Sequence, residues 1–413
     1  MKSFFSVLRV VRLQRWSNHF PVLPSTLALS VLLTITPAAA EIEVRGNLTQ
    51  ELSIFPQTPV HTATQNSNYS ISAEVELYSN VGENGSLTVT PFARVDENDS
   101  ERTHVDFREF IYTHVGESWE ARAGLGKVFF GVAESENLVD FVNQTDSVES
   151  FTTDEKLGQP MVNLLLIRDW GNIDLYVFPG FRERTFAGVN GRPRFPLPVN
   201  TDAAIFEAGD EENQVDFAAR VSGVVGDWDL GAHVFYGTNR EPVLQFDPQT
   251  NTLIPFYFQN TEIGFDAQAT LESWLLKAEF VFRQGDEIDN QTALVAGFEY
   301  SFFDIKSSGA DLGIVAEYLF DERGDDNLSL LQNDALIALR FALNDAASTE
   351  ALAGVITDLD GEGTLISLEA SRRFGSSFKA SLTYTGFSVN ESNGPLSALD
   401  REDNTRLELG FFF

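Results

Sequence analysis

The sequence predicts an all-β fold: a transmembrane, antiparallel, up-and-down β-barrel of about 18 strands, with 16 as the alternative, and with an inward-folded loop. Three observations predict it. The chain begins with the pattern of an export signal, polar and apolar residues alternate through the rest, and the chain ends on an alternating segment, 405–413, with three phenylalanines. An apolar strand at a chain end invites edge pairing, and closure into a barrel removes that edge.

The first 40 residues have the order of a secretory signal peptide. They contain four basic residues and no acidic residue, and an apolar stretch at 22–35 precedes Ala38-x-Ala40. A charged start, an apolar stretch and a small-residue cleavage site are typical of such signals. We therefore predict a signal peptide over 1–40 and an outer-membrane β-barrel over 41–413.

The barrel prediction rests mainly on segments in which polar and apolar residues alternate with a period of two. In a strand, residues two apart share one face. The clearest alternating segments are 69–77, 86–95, 120–125, 172–178, 214–223, 227–236, 260–271, 274–283, 293–302, 311–320, 335–343, 364–373 and 378–387, and less regular ones lie near 42–54, 104–115, 161–169, 349–357 and 405–413. Short and long connections alternate between them, as in single-chain membrane barrels.

Two long connections receive particular roles. We expect 131–160 to fold inward as a constriction loop and 182–212 to form a long extracellular loop, because such long loops in compact domains are usually functional. Four tryptophans lie beside short connections and predict an aromatic girdle at one membrane interface: Trp119, Trp170, Trp228 and Trp274.

Parity also predicts which side chains point into the barrel. In a membrane barrel the apolar face of each strand meets lipid and the polar face lines the interior. The charged residues predicted to line the channel lumen are Arg94, Asp106, Arg108, Glu120, Arg122, Asp216, Arg220, Lys277, Glu279, Arg283, Glu299, Arg340 and Arg373. Both signs occur, so the sequence predicts a mixed-charge, water-filled lumen.

Aromatic residues predicted to point inward are concentrated in the first half of the barrel. They are Phe92, Phe110, Tyr112, Tyr176, Phe178 and Phe235. Two interpretations stay open at this point. The rings form a stacking surface for a sugar or an apolar ligand, or they pack against the inserted loop 131–160.

Catalytic and cofactor motifs are missing from the sequence. It has no serine-hydrolase elbow, no zinc-protease motif and no phosphate-binding glycine loop, and its few histidines are scattered. Acidic segments at 96–101, 321–327 and 358–363 do not complete a calcium loop. We therefore expect no enzyme activity, no catalytic residues, no cofactor and no metal site. The formal net charge of −33 argues against nucleic-acid binding.

One stretch, 107–146, resembles a largely uncharacterised family of proteobacterial outer-membrane barrel proteins. The resemblance rests on Arg108-Glu109, Gly124-x-Gly126, Phe130-Gly131 and the segment 143–146, where Gln144 replaces a usual proline and Phe130 a usual tryptophan. An alternating last strand that ends in Phe also resembles Gram-negative porins in general. The resemblance implies transport across the outer membrane, including transport of hydrophobic compounds, and no enzyme activity.

Together these features predict a passive outer-membrane channel for small solutes. The alternatives are a channel specific for hydrophobic or sugar-like compounds and, less favoured, a barrel hydrolase. Expected partners are outer-membrane lipid, lipopolysaccharide and the barrel-assembly machinery, for which Phe413 is the predicted assembly signal. The oligomeric state is open between monomer and homotrimer.

Overall fold

The computed structural model describes residues 41–151, 155–323, 328, 331–361, 363–390 and 398–413. The predicted signal peptide therefore lies outside the described residues. Eighteen strands form one closed antiparallel sheet, which confirms the predicted barrel. They are β1 (Ile42–Ile54), β2 (Ser67–Val81), β3 (Gly85–Asp96), β4 (His104–Val115), β5 (Trp119–Gly126), β6 (Gln159–Arg168), β7 (Gly171–Phe178), β9 (Asp216–Val225), β10 (Trp228–Thr238), β13 (Gln259–Leu271), β14 (Trp274–Gln284), β15 (Gln291–Phe302), β16 (Asp311–Asp321), β17 (Asn333–Ala342), β18 (Glu350–Asp358), β19 (Gly363–Phe374), β20 (Phe378–Val389) and β21 (Asn404–Phe412).

Each strand pairs with its sequence neighbours in the ring, and β21 returns to β1. Leu52 of β1 pairs with Leu407 of β21. Beyond the end of β21, Gly46 and Phe413 exchange two backbone hydrogen bonds, each 3.0 Å long. The apolar end of the chain therefore has no free edge.

Three further short strands form a separate small sheet within the long connections. They are β8 (Ile205–Phe206), β11 (Val243–Asp247) and β12 (Thr252–Tyr257). Strand β12 pairs with β11 antiparallel and with β8 in parallel. The sequence predicted only loops here. Within the described residues, no helix is long and apolar enough to cross a membrane.

The alternation seen in the sequence is realised in the barrel wall. On β14, Glu279 and Val281 are fully buried on the inside, whereas Phe280 between them is exposed on the outside. The outward residues Leu407, Leu409 and Phe411 of β21 are likewise exposed. Large apolar side chains thus cover the outer surface, and polar side chains collect inside.

The sequence prediction was wrong for two aromatic residues of β4. Phe110 and Tyr112 were expected inside, but they are 51% and 38% exposed on the outer surface. The cause is a β-bulge: Thr90 pairs with Glu109 and the next residue, Pro91, pairs with Phe107, which leaves Arg108 as an extra residue. An extra residue shifts the parity of the strand, so the side chains beyond it change face.

Candidate functional site: the barrel interior

The described residues of the connection from β5 to β6, 127–151 and 155–158, lie inside the barrel, and we call them the interior loop. Its Leu138 and Val139 are buried in one apolar cluster with Val281, Val295 and Leu319, which lie on β14, β15 and β16. The loop therefore packs against the inner face of these strands.

Two carboxylates of the wall hold the backbone of the interior loop. Glu279 of β14 accepts hydrogen bonds from the amides of Val132 (2.5 Å), Ala133 (2.9 Å) and Val139 (3.3 Å). Glu317 of β16 accepts hydrogen bonds from the amides of Glu134 and Ser135, each 2.8 Å long. A loop without a strand partner must find acceptors for its buried amides, and these carboxylates provide them.

The other side of the interior loop is fastened by buried ion pairs. Asp146 lies 3.3 Å from the guanidinium of Arg108 on β4, and Glu149 lies 3.1 Å from that of Arg94 on β3. Arg94 also pairs with Glu51 of β1 at 3.3 Å. Buried charges are costly unless each has a partner, so these pairs specify one position of the loop.

Rings of the interior loop occupy the space beside the inward aromatics. Phe141 stacks on His233 at a centroid distance of 4.1 Å and lies 5.6 Å from Phe235. Phe130 meets Tyr176 edge-on at 6.4 Å, and Tyr176 in turn stacks on Phe178. Of the two interpretations left open by the sequence, the structure supports packing against the loop.

The fourth inward aromatic is also covered. Phe92 is buried, and the guanidinium of Arg108 lies over its ring, 4.8 Å from the centroid. Phe92, Tyr176, Phe178 and Phe235 are therefore inside the barrel as predicted by parity, but no exposed ring face remains for a stacked ligand.

A cavity of about 530 Å³ remains between the interior loop and the opposite part of the wall. That wall is formed by β17 to β21 and by β1, and we call it the open wall. Hydroxyl and charged side chains of the open wall face the cavity, among them Ser367, Ser381, Thr383, Lys379 and Glu408. These polar and charged side chains lie among apolar ones, and they can hydrogen-bond water and small hydrophilic solutes in the cavity.

The predicted lumen residues fall into two groups. Eight are buried inside the barrel in ion pairs or hydrogen bonds: Arg94, Asp106, Arg108, Asp216, Arg220, Lys277, Glu279 and Arg283. Five are less buried: Glu120, Arg122, Glu299, Arg340 and Arg373. Of all thirteen, only Arg340 lines the cavity.

Several cavity residues were missed by the sequence prediction. Glu51 of β1 and Glu350 of β18 both line the cavity. The signal for Glu51 was present, because Thr49, Glu51 and Ser53 share one face of β1, while Leu48, Leu52 and Ile54 lie on the other. No comparable signal in the sequence marks Glu134 or Glu149, because the side chains of an irregular loop do not alternate between two faces.

The connection from β7 to β9, residues 179–215, lies at the end of the barrel that carries the long connections, and we call it the outer loop. Its Arg192 lies 2.8 Å from Glu402, next to β21, and stacks over Phe55 at 4.4 Å. The amide of Gly188 donates to Asp99, next to β3, at 3.0 Å. The outer loop therefore reaches across the mouth, and part of it, 190–193, lines the cavity.

The remaining predicted positions lie on the outer surface. Trp119, Trp170, Trp228 and Trp274 are all exposed and lie beside the short connections. The side chain of Phe413 is exposed as well, while its backbone is paired with β1.

The part of the chain that the structure describes contains no candidate metal site. In it, no group of at least three His, Asp or Glu side chains is placed so that it could hold a metal ion. Three histidines have separate neighbours: His104 is beside Glu149, His233 is beside Glu262, and His114 stacks on Trp119.

No protein-family model matches this chain, and no curated protein matches it. Solved structures of similar shape include a mutant of a porin of Rh. blastica, with 13% identity, a TM-score of 0.46 and coverage of 90% of this chain and 100% of the porin. Another is a loop-deletion mutant of OmpT, an outer membrane protein of Vibrio cholerae, with 12% identity, a TM-score of 0.48 and coverage of 91% and 100%. Identities this low carry no information on solute or activity.

Proposed function

We propose that this protein is an outer-membrane channel for the passive diffusion of small hydrophilic solutes. The observation that carries the proposal is the cavity between the interior loop and the open wall, which hydroxyl and charged side chains of that wall face. In this proposal the interior loop is the constriction of the channel. The predicted segment 131–160 overlaps it, except that Gln159 and Pro160 belong to β6. The position of the loop is set by Glu279 and Glu317 on one side and by Arg94 and Arg108 on the other.

The outer surface supports the membrane part of the proposal. Outward side chains along the strands are apolar and exposed, as Phe280 and Leu407 illustrate. In water such a surface would promote aggregation, whereas in lipid it is solvated. The four exposed tryptophans beside the short connections would lie at one interface, and Phe413 would serve as the signal to the assembly machinery.

A channel specific for hydrophobic or sugar-like compounds receives less support. The aromatic residues on which that alternative depended are either outside the barrel, as for Phe110 and Tyr112, or covered, as for Phe178 and Phe235. We expect no lipase or protease activity from the purified protein.

Conductance in planar bilayers tests the proposal. Because the chain contains no cysteine, a single introduced thiol is unique. Ser367 lines the cavity and its neighbour Ile366 is exposed on the outside. We expect the current through Ser367→Cys to fall when a charged, water-soluble thiosulfonate reagent is added.

The matched variant Ile366→Cys should keep its full current under the same treatment. Absence of current from the folded wild-type protein would refute the channel. Equal responses of the two variants would show that the current does not pass along the open wall.

A further inference from the structure

We propose that this channel prefers cations to anions and that the preference originates in the interior loop; the inference rests on the channel function proposed above. Among the described residues, nine carboxylate side chains and five cationic side chains line the cavity. The distribution of these charges over the lining identifies which segment produces the excess.

The interior loop presents an acidic face to the cavity. Four of its carboxylates line the cavity, Glu134, Glu136, Glu149 and Glu155, and none of its basic residues does. Lys156, one of the loop's two lysines, points elsewhere, with its ammonium 3.5 Å from Asp140. Glu134 and Glu149 have cationic partners behind the lining, Lys277 at 3.4 Å and Arg94 at 3.1 Å, and Glu136 and Glu155 add two further negative charges at the cavity.

The open wall, in contrast, carries charges of both signs. Its three cationic side chains at the cavity are Arg340, Lys379 and Arg406, and its acids are Glu51 on β1 and Glu350, Glu369 and Glu408 on β18 to β21. The guanidinium of Arg406 lies 3.7 Å from Glu408 on the same strand. Opposite charges on one wall largely cancel at the distance of a passing ion.

The remaining cations of the lining are held by carboxylates. Arg102 lies 2.8 Å from Glu51, and Arg192 lies 2.8 Å from Glu402. Arg340 lies between two acids, 2.6 Å from Glu134 and 3.3 Å from Glu299. These guanidinium groups therefore offer little net positive charge to an anion.

An excess of fixed negative charge in a narrow, water-filled space attracts cations and repels anions. Among the loop acids, Glu149 is fully buried beneath the cavity surface, whereas Glu136 and Glu155 are only partly buried. Glu136 and Glu155 are therefore the two loop acids at which removal of charge should act most directly on ions in the cavity.

The test is the reversal potential of single channels in a gradient between about 0.1 M and about 1 M KCl, where the Debye length changes from about 10 Å to 3 Å. We expect the permeability of the wild-type protein to K⁺ to exceed its permeability to Cl⁻ by roughly threefold or more, and the effect to originate on the dilute side, where screening is weaker. The double variant Glu136→Gln/Glu155→Gln should bring the ratio close to one while a current persists.

The control variant Glu83→Gln/Glu117→Gln removes the same charge from exposed turns that do not line the cavity, and it should keep the wild-type ratio. Mobility of unheated protein on a denaturing gel verifies that each variant forms a barrel.

A current without preference, or with preference for Cl⁻, would overturn the selectivity but not the channel. An unchanged ratio in Glu136→Gln/Glu155→Gln would overturn the assignment to the loop. Absence of any wild-type current would overturn both proposals.

Discussion

Arg340 of β17 and Glu134 of the interior loop form an ion pair with a nitrogen–oxygen distance of 2.6 Å at the edge of the cavity. This pair is where the loop meets the open wall. Lys277 of β14 also lies 3.4 Å from the same carboxylate, so Glu134 keeps one cationic partner if the other is removed.

Replacement of this arginine should make the channel more selective for cations. In Arg340→Gln the cavity loses a positive charge while Glu134 stays anchored by Lys277. We expect the K⁺ to Cl⁻ permeability ratio to rise on the order of twofold, since fixed charge sets the local ion concentration. Reversal potentials measure it. Arg372→Gln, which removes an exposed guanidinium paired with Asp345, is the control and should leave the ratio unchanged.

Loss of the Glu279 carboxylate should loosen the interior loop. In Glu279→Ala the amides of Val132, Ala133 and Val139 lose their acceptor, which costs about 1–3 kcal/mol for buried donors. Hydrogen exchange of these three amides should accelerate. Glu287→Ala, at an exposed position after β14, provides the comparison. Unaltered exchange in Glu279→Ala would show that the loop is held by its other contacts alone.

The outer loop should become less stable as the pH rises. Burial, a hydrogen bond with Glu212 and repulsion from Glu212 and Asp202 raise the pKa of Glu183 to about 8. Because this carboxyl binds its proton more tightly in the folded state, its contribution to stability is complete below its unfolded pKa and is lost as the pH rises toward 8. Hydrogen exchange at Phe181, corrected for the intrinsic pH effect, should therefore accelerate between pH about 5 and 8.

Glu183→Gln removes the titrating group at nearly constant shape. Its exchange at Phe181 should be independent of pH over the same interval after the same correction. A variant that keeps the wild-type pH dependence would assign the effect to another group of the outer loop.

Removal of the last residue should impair barrel closure. Phe413 exchanges two backbone hydrogen bonds with Gly46, and their loss costs about 1–2 kcal/mol, which lowers the ratio of folded to unfolded protein on the order of tenfold. The fraction of unheated protein that migrates as a compact barrel measures this. Phe413→Leu retains the backbone bonds. If it folds in vitro but is poorly inserted in cells, the aromatic ring is needed for assembly rather than for closure.

Much of the barrel could be predicted from the sequence because strand parity is a local property. A segment such as 274–283 shows its two faces without any knowledge of its neighbours, and the final strand could be paired with the first by elimination of the free edge. Parity failed at β4, where the bulge depends on the pairing of Thr90 and Pro91 with the opposite strand. The only mark of the bulge in its own strand is a change of phase, because the exposed apolar positions shift from Val105 and Phe107 to Phe110 and Tyr112.

The candidate site was less accessible to prediction. Parity tells on which side of the sheet a residue such as Asp216 lies, but it does not tell what covers that residue. Asp216 is fully buried because Arg240, from the connection after β10, forms an ion pair with it at 2.8 Å. Contacts between a wall and an irregular loop join residues far apart in the chain, and no local pattern encodes them.

The two sets of anchors of the interior loop have a mechanical consequence. Arg108 on β4 and Glu317 on β16 lie halfway around the ring from each other, and the loop is bonded to both. A ring of hydrogen-bonded strands resists opening but deforms easily toward an ellipse. The loop connects opposite sides of this ring. The cross-section of the barrel, and with it the width left for solutes, is therefore set by the side chains that bind the loop at each side as well as by the number of strands.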